Sequence, residues 1–183
     1  MLFVAPTGSG KSIACWVPGI VEGGLTIVVS PLIALMVDQV ARLTVLGIPS
    51  ACVHGQMSAD ERRDSMTRAS DGELRFLYLA PERIGTRGFL DALRRLKVSR
   101  FVIDEAQCVS SWGHDFRPDY RRLGDAIGAC GRPSVGAFTA TATLRVRLDI
   151  IASLGLREPV GKVTGFVRQN LSMSVVRCRG KAD

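Results

Sequence analysis

The sequence predicts an α/β fold, a mostly parallel sheet with helices on both faces. Three observations carry that prediction. Short β-branched runs alternate with stretches of helical period along most of the chain. A glycine-rich segment, Ala5-Pro6-Thr7-Gly8-Ser9-Gly10-Lys11-Ser12, directly follows the first of those runs. Finally, 183 residues that are 46% hydrophobic and 22% charged suffice for one packed core, and they exclude disordered, collagen-like and coiled-coil classes.

Taken in order, the first strand is Leu2 to Val4, short and apolar as a strand buried on both sides must be. The glycine-rich segment then opens a helix, and Leu25 to Val29 is the second strand. Leu32, Met36, Val40 and Leu43 share one helical face and are expected in the core. Ala51 to Val53 is the third strand, and Ser58 with Glu61 forms a capping box at the start of a polar helix. Arg75 to Leu79 follows as a strand, then a helix carrying Leu90, Leu93 and Leu96, then the strand Phe101 to Ile103. Val135 to Phe138 is the last strand expected. Leu144, Leu148 and Ile151 form a stripe on the last helix, with Gly155 placed to end it. After about Gly161 the pattern weakens, and the segment from Arg177 to Asp183 reads as a tail or linker.

Lys and Arg number 24 against 17 Asp and Glu, a formal charge of +7 that suits a polyanionic partner. Only four of the cations are lysines (Lys11, Lys97, Lys162, Lys181), an arginine excess that reads equally as codon bias or as phosphate contact. Cys15, Cys52, Cys108, Cys130 and Cys178 are scattered and odd in number, so neither a zinc ribbon nor a disulfide framework is encoded and a reducing, intracellular compartment is expected. His54 and His114 are far apart, and neither reads as a metal ligand.

The glycine-rich segment is a phosphate-binding loop with Ala5 in place of the usual first glycine. Thr7, Gly8, Ser9 and Gly10 would turn backbone N–H groups toward phosphate oxygens, aided by the positive end of the following helix. Lys11 would reach the outer phosphates and the Ser12 hydroxyl would ligate Mg²⁺. Phe101-Val102-Ile103 runs into Asp104-Glu105 at the C-terminal edge of a buried strand, where open α/β sheets bind ligands. Asp104 suits a metal-holding role and Glu105 the polarisation of water.

From Asp104-Glu105-Ala106-Gln107 through Trp112-Gly113-His114-Asp115-Phe116-Arg117 to Tyr120, the chain resembles motif II and the aromatic-rich loop of RecQ-type DNA helicases. Residues 28–40, 77–84 and 138–143 are similar to that family's motifs Ia, Ib and III, and 165–171 to the segment leading out of its first motor lobe. The resemblance implies a RecA-like lobe at residues 1–165 and an exit segment at 166–183. It implies ATP and Mg²⁺ as cofactors, single-stranded and fork-like DNA as partner, 3′-to-5′ unwinding by the complete enzyme, and a location in nucleus, nucleoid or cytoplasm. It puts Lys11, Asp104 and Glu105 in catalysis, Ser12 and Asp104 on the metal, and Ser30, Gln107, Trp112, Phe116, Arg117, Thr139 and Thr141 in DNA binding or coupling.

Two departures qualify that reading. Gln107 stands where the family has His, which keeps hydrogen bonding and loses the capacity to carry charge. The upstream adenine-recognising segment and the second lobe with its arginine finger also fall outside these 183 residues, so slow turnover and no unwinding by this lobe alone are expected, with the second lobe supplied in trans. Two other functions compete: a non-catalytic nucleic-acid-binding module that keeps the fold, and an unrelated phosphate-loop kinase or GTPase, which would leave the loop from Trp112 to Tyr120 unexplained.

Overall fold

The computed structural model describes residues 1–113, 115–165, 172 and 174–175. Seven strands form one sheet in the order β3-β4-β2-β5-β6-β1-β7, every neighbouring pair parallel. The strands are β1 (Leu2–Val4), β2 (Leu25–Val29), β3 (Ser50–Val53), β4 (Phe76–Leu79), β5 (Val98–Ile103), β6 (Ser134–Thr139) and β7 (Gly161–Val163). The helices are α1 (Lys11–Glu22), α2 (Ile33–Val45), α3 (Ala59–Ser70), α4 (Pro81–Ile84), α5 (Phe89–Arg94), α6 (Leu123–Ala129) and α7 (Leu144–Leu154).

The strand order decides which face each helix covers, because parallel crossovers are right-handed. From β1 to β2 to β3 the chain moves one way across the sheet, which places α1 and α2 on one face. It then reverses, so α3 to α7 lie on the other. Alternate strand residues feed two separate cores accordingly. Ile27, Val29, Leu77, Leu79, Phe101 and Ile103 pack with Ile84, Leu93, Leu123 and Ile150, whereas Val28, Phe76, Tyr78, Val102 and Phe138 pack with Cys15, Trp16, Met36 and Leu43. The second core carries a polar element: the Trp16 indole donates to the Tyr78 hydroxyl at 2.8 Å, so both rings are buried without an orphaned polar atom.

The six expected strands form, with ends displaced by at most three residues. A seventh, β7, pairs with β1 although its residues are all exposed and carry no apolar pattern. The capping box at Ser58 has both of its hydrogen bonds, and Gly155 ends α7 in the left-handed conformation. One expected stripe is wrong in part: Ile151 packs against the core, but its other two members do not. Leu144 and Leu148 are 63% and 58% exposed, and α7 buries Val146, Ile150 and Leu154 instead. Two residues' offset is about 200° around a helix, so these two apolar stripes lie on opposite sides and only one can face the sheet. Leu32, expected in the core, precedes α2 and is exposed. The exit segment at 166–183, apart from 172, 174 and 175, lies outside the described residues, as do His114 and Cys178.

Candidate nucleotide and nucleic-acid site

Because β2, β5, β6 and β1 are adjacent, their C-terminal ends set four segments side by side: Ser30, Asp104-Glu105, Thr139 to Thr141, and the phosphate loop. This is the edge of a parallel sheet at which ligands bind. The loop is anchored to its neighbour by Ala5, whose N–H donates to the Thr139 carbonyl at 3.0 Å. Gly8 and Gly10 have φ of +84° and +85°, and a Cβ on either would meet nothing within 4 Å. Backbone conformation, rather than lack of space, calls for glycine there. Thr7 and Ser9 lie exposed on the same turn. Gly10 caps α1, and Lys11 Nζ turns back across the loop to donate to the carbonyls of Ala5 at 2.9 Å and Pro6 at 3.1 Å.

Opposite the loop, Asp104 is pushed up to about 6 by burial and, less strongly, by the neighbouring Glu105 charge. The Glu105 N–H, the Ser30 hydroxyl and Lys11 act against that rise without cancelling it. A buried carboxylate left so poorly compensated is one that a cation would relieve. Asp104 and Ser12 line one small cavity together with Lys11 and Gln39. Among the described residues no three His, Cys, Asp or Glu gather into a metal cage. One hydroxyl, one carboxylate and open space beside a phosphate loop is a donor set that fits Mg²⁺, which keeps waters and shares its coordination with substrate phosphates.

Glu105 adopts a left-handed backbone (φ 48°, ψ 48°), unusual for a non-glycine residue. Its N–H donates to Asp104 Oδ1 at 3.0 Å, and its carboxylate accepts from Gln107 Nε2 at 2.8 Å. Gln107 is buried, and its Oε1 accepts a hydrogen bond from the Thr139 hydroxyl. That hydroxyl also lies 3.0 Å from the Thr141 carbonyl and accepts from the Thr141 N–H at 3.3 Å. Since it carries one proton, it can serve only one of its two acceptors at a time. Gln107 therefore ties the acid after β5 to the segment after β6.

Beyond Gln107 the loop runs outward. Gly113 is pressed against it: a Cβ would sit 2.6 Å from the Gln107 carbonyl oxygen. Trp112 is 60% exposed, with the Arg145 guanidinium 3.3 Å above its ring. Phe116 is half-buried under Arg121 at 5.0 Å. Arg117 is exposed and reaches the Pro31 carbonyl at 3.5 Å. Ser110, fully buried, donates to Asp149 on α7 at 2.6 Å. Tyr120 is buried, and its hydroxyl donates to the Asp104 carbonyl at 3.3 Å.

The expected residues thus gather along one edge, with one difference in aspect. Ser30, expected toward DNA phosphate, is 2% exposed and donates inward to Asp104 Oδ2 at 3.3 Å. Sequence reasoning gave no role to Gln39, Asp149 or Arg145. Gln39 lies beside the apolar stripe of α2, which explains that helix without it, and the two α7 residues carried no local signal.

Residues 1–150 match the family model "DEAD/DEAH box helicase". The chain is 38% identical, over 96% of its length, to the ATP-dependent DNA helicase RecQ of Pasteurella multocida and spans 28% of that protein. It is 39% identical over 97% of its length to the RecQ of Bacillus subtilis, spanning 30% of it, and 42% identical over 97% to the ATP-dependent helicase wrn-1 of Caenorhabditis elegans, spanning 17%. The helicase domain of Pyrococcus furiosus Hef shares the fold at a TM-score of 0.67 and 21% identity, covering 88% of this chain and 34% of that one. The chain therefore belongs to the DEAD/DEAH box helicases, and its curated relatives include the ATP-dependent DNA helicase RecQ of two bacteria.

Proposed function

We propose that this chain is the ATP- and DNA-binding lobe of a RecQ-like 3′-to-5′ DNA helicase, working with a second RecA-like lobe. The observation that carries this reading is the row of four strand ends, which sets Lys11 and Ser12 opposite Asp104 and Glu105 and links Glu105 through Gln107 to Thr139.

Thr7 to Gly10 supply N–H groups to the phosphates, and Lys11 exchanges its loop carbonyls for the outer phosphate oxygens. Ser12 and Asp104 would hold Mg²⁺, which when bound supplies charge neutralisation at the phosphates. Glu105 orients and polarises the attacking water. Gln107, Thr139 and Thr141 pass the position of Glu105 toward the DNA side, where Trp112 and Phe116 offer rings for base stacking and Arg117 a phosphate contact.

The test is steady-state ATP hydrolysis with and without single-stranded DNA. We expect slow turnover that DNA stimulates and that both Lys11→Ala and Glu105→Gln abolish. Tight DNA binding with no hydrolysis in the unsubstituted chain would support the non-catalytic binding module instead.

A further inference from the structure

One short segment touches both oxygen donors of the cation site. Ser30, at the end of β2, donates to Asp104 Oδ2 at 3.3 Å, and Gln39, on α2, donates from Nε2 to Ser12 Oγ at 3.4 Å. Both are almost wholly buried, at 2% and 8% exposure. Gln39 lies between Met36 and Leu43, each completely buried, on the α2 face that packs against the sheet. Packing alone would be served there by Leu or Met, and a buried amide is costly unless it is hydrogen-bonded. Its partner is the hydroxyl expected to ligate the cation.

We propose that Gln39 is a positioning residue for the cation site, and that Ser30 and Gln39 together make the segment from β2 into α2 a two-point brace on Asp104 and Ser12. A serine hydroxyl has one proton and two lone pairs. Donation from Gln39 into one lone pair fixes the rotamer of Ser12 and leaves the other lone pair for a metal. Outer partners of this kind orient metal ligands and govern affinity without touching the ion. The same segment carries the Pro31 carbonyl that meets Arg117 of the aromatic loop, so a displacement of that loop is passed to both donors at once. The inference rests on the nucleotide-site reading above and adds the route by which the site is held.

The experiment follows a fluorescent ATP analogue binding to the full chain while MgCl₂ is titrated, so that its readout is binding rather than turnover. Gln39→Leu and Gln39→Met, which keep volume and remove the donor, should raise the Mg²⁺ concentration at half-saturation about tenfold, the scale of loss when a metal ligand's hydrogen-bond partner is removed. Nucleotide affinity at saturating Mg²⁺ should stay within about twofold, consistent with loss of one neutral hydrogen bond that the ion bypasses. Ser30→Ala, which removes a single hydroxyl and is the variant safest for folding, should shift the Mg²⁺ requirement in the same direction. In a Ser12→Ala background, Gln39→Leu should add nothing. An unchanged Mg²⁺ midpoint in folded Gln39 variants, or a shift that persists without the Ser12 hydroxyl, would overturn the brace while leaving the nucleotide site standing. A chain whose unsubstituted form shows no Mg²⁺-dependent binding of the analogue would overturn the nucleotide-site reading itself, and the brace with it.

Discussion

The phosphate loop and the aromatic loop sit on the same sheet edge but are held mainly by different means. The phosphate loop is shaped by its backbone, through the positive φ of Gly8 and Gly10 and the Ala5 to Thr139 hydrogen bond. The aromatic loop has backbone hydrogen bonds at its base, Gly113 N–H to the Ser110 carbonyl and Arg117 N–H to the Cys108 carbonyl, but its rings are held by side chains. Ser110 bonds Asp149 and accepts from the Trp112 N–H, Arg145 lies over Trp112, and Arg121 lies over Phe116. A backbone-held cradle keeps its N–H groups in place when side chains around it move, whereas the oxygen donors Ser12 and Asp104 depend on the brace. A side-chain-held loop can exchange its contacts one at a time, each worth on the order of 1 kcal/mol, which suits an element that must respond to a second ligand.

The strongest way to break this contrast is at Asp104, where the rigid edge stores an unfavourable charge. Its carboxyl is raised from the ordinary 3.8 to about 6 by burial and by Glu105. The folded state therefore binds the proton more tightly than the unfolded chain, and stability falls as pH rises between those two values. The cost reaches on the order of 3 kcal/mol above pH 6. Asp104→Asn should thus raise the thermal midpoint of the nucleotide-free chain at pH 8, by several degrees for a domain of this size, while abolishing hydrolysis. The gain should shrink toward pH 4. Parallel melting curves for both proteins from pH 4 to 8 would show that Asp104 carries no such cost.

A smaller effect is expected from the other side of the comparison. Ser110→Ala removes the hydroxyl that donates to Asp149 and accepts from Trp112, at a cost of about 1–2 kcal/mol in urea unfolding. Nucleotide affinity should stay unchanged, because neither bond reaches the phosphate loop, and single-stranded DNA affinity should weaken. A parallel fall in nucleotide affinity at saturating Mg²⁺ would mean that the backbone of the phosphate loop depends on the side chains that hold the aromatic loop.

The same contrast explains what was legible in the sequence. Features imposed by the backbone are written locally: Gly8 and Gly10 in the phosphate loop, the Ser58–Glu61 box, Gly155 at the end of α7, and the β-branched runs of β2 and β4. Features made by side chains meeting across the fold are not. Asp149 lies 39 residues from Ser110, and nothing in either neighbourhood marks the pair. The rotation of α7 was undecidable locally because it carries two apolar stripes, and β7 was missed because its pairing with β1 is purely main-chain. Gln39 was hidden by the stripe of Met36, Val40 and Leu43, which accounts for α2 as a core helix without it.

Gln107 is the joint between the two regions, and its effect should be the subtlest. Its amide donates to Glu105 and accepts from Thr139 in one charge state at every physiological pH. In Gln107→His a neutral imidazole could keep both roles, with one nitrogen donating and the other accepting. A protonated imidazole could only donate and would lose the bond from Thr139 while gaining attraction to Glu105. ATP binding should therefore be unaffected. DNA-stimulated hydrolysis should rise severalfold at pH 8 and acquire a step near the usual histidine range of about 6.5 that the unsubstituted chain lacks. Stimulation profiles of equal height and shape from pH 5.5 to 8.5 would show that the Glu105–Gln107–Thr139 chain does not carry the signal between the loops.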